Sequence, residues 1–249
     1  MRKIIGAIYS IYAFIVFITV MLILFPFFVI ASFFGRIRGG NMMYSICRIW
    51  ADAVMFLWGM YHKNIYEVPY AKGHAVVYVF NHISYLDIPI MMKAFRNVHI
   101  RILAKAEMAK IPVFGYIYRK AAVMVDRANE EARAKSVKQL KSILGKNISI
   151  VLAPEGTFNM TNKPLKEFYN GAFKIAVEMQ VPIQPVLFLD AYDRLNYKSV
   201  FSLAPGKSRA VFLPEVLAGN DAEVLKQKVY EEMEEGLVRY KASWIGSES

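Results

Sequence analysis

The stretch Asn81-His82-Ile83-Ser84-Tyr85-Leu86-Asp87 carries the residues best suited to chemistry. An imidazole and a carboxylate five positions apart, across a short turn, can meet. A carboxylate on one ring nitrogen fixes the tautomer and steadies the imidazolium that forms when the other nitrogen takes a proton. His82 is therefore a candidate general base and Asp87 its orienting partner. The apolar run 75–80 just before it reads as a buried strand. That places the imidazole at the carboxyl end of a strand, where open α/β sheets bind their ligands.

Two more apolar runs end in polar residues. Residues 123–125 lead into Asp126-Arg127, with Lys105 upstream. Residues 148–152 lead into Ala153-Pro154-Glu155-Gly156-Thr157, where Gly156 permits close backbone approach to a ligand. Taken singly, the first is an ordinary surface ion pair and the second an ordinary strand end. At corresponding ends of adjacent strands, the three would form one site.

The elements that must hold these residues alternate along the chain, which argues for an α/β domain. Strands are expected at 75–80, 99–103, 122–126, 148–152, 183–189 and 208–213, and helices at 86–95, 129–144, 170–180 and 221–241. Asn129 reads as the N-cap of the second helix, and Gly145 follows its end.

Ahead of this domain, residues 4–34 contain no charge, more than the roughly 20 residues that cross a bilayer. Arg2, Lys3, Arg36 and Arg38 flank them, so the positive-inside rule favours the cytoplasmic side at both ends. Pro26 is a potential kink. Residues 41–61 are apolar but include Arg48, Asp52, Trp50 and Trp58, as suits a helix lying at an interface. The expectation is a two-helix membrane anchor over residues 1–61 and a catalytic domain over residues 62–249. The fold class would be α/β, a central mixed sheet flanked by helices. The anchor would dip into one leaflet of the cytoplasmic (inner) membrane and leave the domain on the cytoplasmic face.

The net charge is +11, and residues 93–146 hold 13 Lys/Arg against 4 Asp/Glu. A basic middle third suits an anionic membrane surface or a phosphorylated substrate. No zinc finger or RNA-binding signature supports nucleic acid. Cys47 is the only cysteine, and His62, His74, His82 and His99 lack metal-ligand spacing, so neither a disulfide framework nor a metal is expected.

With these residues in view, the chain resembles the glycerolipid acyltransferases, most closely the bacterial 1-acylglycerol-3-phosphate acyltransferases. The Asn-His-x4-Asp motif is met by Asn81, His82 and Asp87, and the second by Lys105 with Val125-Asp126-Arg127. The third is met in part by Pro154, Glu155, Gly156 and Thr157, and the Val-Pro-Ile-x-Pro-Val motif by residues 181–186. The resemblance implies transfer of a fatty acyl group from a thioester to the hydroxyl of a lysophosphatidic acid. Acyl-carrier protein or coenzyme A would be co-substrate, with no bound cofactor. It makes His82 and Asp87 catalytic, and Lys105, Arg127, Glu155, Gly156 and Thr157 substrate-binding. The third motif departs from the family, with Phe158 for its usual Arg, commonly assigned to phosphate, and Asn159 for Ser. Glycerol-3-phosphate or another lysolipid therefore stays open as acceptor.

Outside the resemblance, an aliphatic alcohol is too weak an acid to attack a thioester unaided, and an oriented neutral imidazole is the base it needs. Glu155 would hold a glycerol hydroxyl or brace a cation. Met91, Met92, Phe114 and Met124 would suit an acyl chain, though core packing is the simpler account of each. A membrane-surface binding protein leaves the ordered strand-end polar residues unexplained. A serine hydrolase lacks its Gly-x-Ser-x-Gly elbow.

Overall fold

The structure, a computed structural model, describes residues 2–68, 73–126, 129–161 and 163–244. Helix α1 (Arg2–Ser32) is the uncharged N-terminal run and continues through Pro26. A π-helical turn at Gly35–Gly39 reverses the chain into α2 (Gly40–Leu57). Trp58 Nε1 donates to Ala13 O at 3.0 Å, and Tyr12 Oη donates to Leu57 O at 3.0 Å. Phe17 meets Trp50 edge to face at 5.0 Å between ring centres. One side of α1 packs on α2. The other exposes Ile4, Ile8, Ile11, Ile15 and Ile23, each more than half accessible. Residues 4–32 are long and apolar enough to cross a membrane.

Seven strands form one sheet: β1 (Met60–Tyr66), β2 (Val77–Phe80), β3 (Ile100–Lys105), β4 (Val123–Val125), β5 (Ser149–Leu152), β6 (Ile183–Phe188) and β7 (Gly206–Phe212). Their order is β1-β7-β6-β2-β5-β3-β4. The β6–β7 pair is antiparallel and the others are parallel, so the sheet is mixed. Helices α3 (Asp87–Ala94), α4 (Phe114–Ala121), α5 (Glu130–Leu144), α6 (Gly171–Met179), α7 (Ala191–Arg194) and α8 (Ala222–Arg239) make the connections. Strands β2, β5 and β6 are buried at every position, as the apolar composition of parallel central strands requires. The N-cap at Asn129 is present, its side-chain oxygen accepting from Ala132 N at 2.9 Å.

Three elements depart from the sequence expectations. Strand β1 begins at Met60, so α2 stops at Leu57, short of the 41–61 segment read as a helix. β1 is an edge strand whose inward residues alternate with the exposed Tyr61 and Lys63, and its polarity hides it. Helices α4 and α7 were not anticipated either, both being short, and α4 is entered through Val113 at φ 60°.

Candidate active site

Strands β2, β5, β3 and β4 lie side by side and run in parallel, so their carboxyl ends meet at one edge. Val79 is level with Leu152, Ile102 with Val151, and Lys105 with Val125. The polar residues that follow β2 and β5, and Lys105 at the end of β3, are thereby neighbours.

The chain leaves β2 at Phe80, and Asn81 anchors the turn. Its side chain accepts from Phe188 N at 2.8 Å and donates to Phe188 O at 3.1 Å, tying the exit of β2 to the end of β6. The peptide of His82 is clamped on both sides: its N–H donates to Glu155 Oε1 at 2.8 Å, and its carbonyl accepts from Asn159 N at 2.7 Å. Helix α3 starts at Asp87, whose Oδ2 lies 2.6 Å from His82 Nδ1. The same oxygen accepts from Ile83 N at 3.0 Å and Ser84 N at 3.2 Å. Its partner Oδ1 is buried without a protein partner among the described residues, so the carboxylate is aimed wholly at the imidazole and its loop. Ser84 Oγ donates to Leu195 O at 2.6 Å and accepts from Leu86 N, so it shapes the loop.

With Asp87 accepting at Nδ1, a neutral ring carries its proton there and keeps the lone pair on Nε2. His82 lines a cavity of about 460 Å³. Lys105, Gly156, Thr157, Phe158 and Tyr85 surround its polar end. Its remainder is apolar, walled by Phe28, Cys47 and Trp50 of the helical hairpin, by Met91 and Met92 of α3, and by Phe114 and Ile117 of α4. Met91, Met92 and Phe114 thus line a hollow as well as the core; Met124 does not line it. Among the described residues no group of three or more His, Cys, Asp or Glu side chains is placed to hold a metal ion.

Of the seven candidate residues, His82, Asp87, Lys105, Gly156 and Thr157 share this cavity, and Arg127 lies outside the described residues. Glu155 lies elsewhere. Expected against substrate or a cation, it is fully buried and away from the cavity lining, and its oxygens accept from His82 N and from Lys166 N at 2.9 Å. It is a brace joining two loops. Burial is the main cause that raises its carboxyl to about 7, against the lowering effect of those two N–H groups. Because the folded value lies above the ordinary 4.5, the folded state holds the proton more tightly, and stability falls as pH rises from about 4.5 to about 7. Glu155→Gln should remove that slope in thermal melts at pH 5 and pH 7.5. It should also cost about 1–3 kcal/mol, because an amide can accept only one of the two N–H groups in that arrangement.

Sequence reasoning missed three neighbours. Phe158 packs its ring on His82 with centres 4.4 Å apart and edge-on against Tyr85 at 4.8 Å. Asn159 organises the loop, its side chain donating to Lys163 O and Pro164 O and accepting from Thr161. Lys166 Nζ donates to Thr157 Oγ1 at 2.8 Å. The first two were visible only as departures from a motif, and Lys166 had no signal, since the irregular loop folds back over nine residues.

Residues 50–189 match the family described as Acyltransferase. Over 170 residues the chain is 30% identical to the 1-acyl-sn-glycerol-3-phosphate acyltransferase of Cocos nucifera, covering 68% of this chain and 51% of that protein. Over 178 residues it is 26% identical to the Helicobacter pylori protein of the same name, covering 71% of this chain and 74% of that one. The match thus spans about half the length of the coconut relative. The crystal structure of the 1-acyl-sn-glycerophosphate acyltransferase from Thermotoga maritima has the same fold. The TM-score is 0.78 at 24% identity, covering 98% of this chain and 99% of that one.

Proposed function

Because this chain belongs to the acyltransferase family, we propose that it moves a fatty acyl group from a thioester to the free hydroxyl of 1-acylglycerol-3-phosphate, giving phosphatidic acid. The single observation that carries the reading is the 2.6 Å contact between His82 Nδ1 and Asp87 Oδ2 at the mouth of an apolar cavity. The acceptor hydroxyl attacks the thioester carbonyl carbon while its proton passes to His82 Nε2. The tetrahedral intermediate collapses, the carbon–sulfur bond breaks, and the thiolate departs with the electron pair and is protonated by the imidazolium or by water. Asp87 stabilises the imidazolium through Nδ1. No acyl-enzyme is formed: Ser84 Oγ is committed to Leu195 O, and Cys47 sits in the cavity wall with no histidine hydrogen-bonded to its thiol among the described residues.

The acyl chain occupies the apolar part of the cavity, where burial of methylene groups favours it by about 0.8 kcal/mol each. Lys105 binds the acceptor phosphate at the polar end, and the Thr157 loop, held by Lys166, closes that end. Arg127 is proposed as a second phosphate ligand. The hydrocarbon-rich outer face of α1 keeps the cavity beside a bilayer, on the cytoplasmic face of the membrane. The donor is an acyl-carrier protein or coenzyme A thioester.

Lys105→Ala should raise the KM for the phosphorylated acceptor about 10- to 100-fold, the effect of one charge-assisted hydrogen bond, with little change in the KM for the thioester. A second acceptor class is favoured by one observation: Phe158 presents a ring to His82 where the family usually has an Arg. Purified protein incubated with each donor and a panel of 1-acylglycerol-3-phosphate, glycerol-3-phosphate and neutral lysolipids tests the assignment. The expected lipid product is phosphatidic acid. Faster acylation of glycerol-3-phosphate or of a neutral lysolipid would replace it.

A further inference from the structure

A second concavity lies away from the reacting groups. It is a groove of about 450 Å³ between the π-helical turn, the start of β3, the end of α4 and one face of α5. Its lining includes Arg36, Arg101, Lys120, Lys135, Lys138 and Lys146, and no acidic residue. None of the six has a carboxylate within ion-pair distance among the described residues, whereas Lys141, on the same helix, is paired with Glu178. Residues 135, 138 and 142 recur at helical spacing, so α5 turns two amines and the Ser142 hydroxyl toward one hollow, and Lys146, just past the helix end, adds a third amine.

Arg101 makes the site unusual. It is 4% exposed, and its guanidinium donates to Ile100 O at 2.7 Å, Ile37 O at 3.1 Å, Arg36 O at 3.2 Å and Asn41 Oδ1 at 3.0 Å. Its charge is solvated by neutral oxygens and cancelled by no carboxylate among the described residues. A buried cation is ordinarily paired, so Arg101 adds an uncompensated positive charge to a groove already lined by five other cations. Arg101 sits four residues before Lys105 on β3, placing the groove about 13 Å from the catalytic edge.

What supplies the anion follows from the neighbours. The groove adjoins the end of α1, where Phe33 is 82% and Phe34 54% exposed beside Arg36. Exposed aromatics next to cations, at the end of an apolar helix, are the composition of a headgroup layer. We propose that this groove is an accessory site for the phosphate of an anionic phospholipid, separate from the acceptor site. It docks the β3–β4–α5 end of the domain on the membrane. None of its cations lines the cavity that holds His82, so the site stands independently of the proposed reaction.

Flotation of the full chain with vesicles provides the test. Because α1 itself enters any bilayer, the readout is the ratio of partitioning into phosphatidylcholine vesicles with 30% phosphatidylglycerol to partitioning into pure phosphatidylcholine. The variant Lys135→Gln/Lys138→Gln/Lys146→Gln should lower that ratio about tenfold or more. Binding to neutral vesicles and turnover with a micellar acceptor should stay unchanged. A control, Lys63→Gln/Lys207→Gln/Lys228→Gln, removes the same charge from exposed positions elsewhere and should leave the ratio nearly intact. Equal ratios for the wild type and the groove variant would overturn the site. So would equal losses in the groove and control variants, which would mean that overall charge alone is read.

Discussion

His82→Ala is expected to lower turnover by about 10²- to 10⁴-fold, the usual effect of losing a positioned general base, and to leave the fold intact. The structural half of this expectation comes from the backbone. Glu155 and Asn159 hold the peptide of residue 82 through its N–H and its carbonyl, and neither bond involves the imidazole. Asp87 keeps two donors, Ile83 N and Ser84 N, after the ring is gone. Melting should therefore shift by little. Residual turnover above a few per cent of wild type, measured as phosphatidic acid formed, would refute the role given to His82.

Asp87→Asn should reduce kcat by roughly 10⁴-fold, comparable to losing the carboxylate behind a catalytic histidine elsewhere. The three contacts on Oδ2 leave an asparagine two orientations. With its amide oxygen in that place, Nδ2 falls where Oδ1 is buried without a protein partner, and the imidazolium loses its counter-charge. In the reverse orientation the amide donates to Nδ1, forcing the ring proton onto Nε2, and the base is lost. Either way chemistry suffers more than binding, so the KM for the acceptor should move far less than kcat. A variant in which KM rises and kcat holds would make Asp87 a binding residue.

The sequence made legible whatever rests on hydrophobic periodicity. Strands β2, β5 and β6 appeared as apolar runs because they are buried on both faces, and α5 was framed by Asn129 and Gly145. Their meeting at one edge was foreseeable as a condition, and the parallel order β2-β5-β3-β4 fulfils it. Features that depend on tertiary contact were not readable. β1 carries polar residues on its outer side because it is an edge strand, and α4 is too short to show a period. Glu155 looked like a ligand residue because carboxylates after strands often are. Only the fold reveals two backbone N–H groups directed at it. The hollow beside Met91 and Met92 was equally hidden, since cavity wall and core call for the same side chains.

Thiol release from the acyl thioester, followed with and without lysophosphatidic acid, tests the central claim most directly. A base that acts on the acceptor hydroxyl predicts release that needs the acceptor, matches phosphatidic acid mole for mole, and disappears in His82→Ala. Release at the same rate without acceptor, or undiminished in that variant, would contradict it.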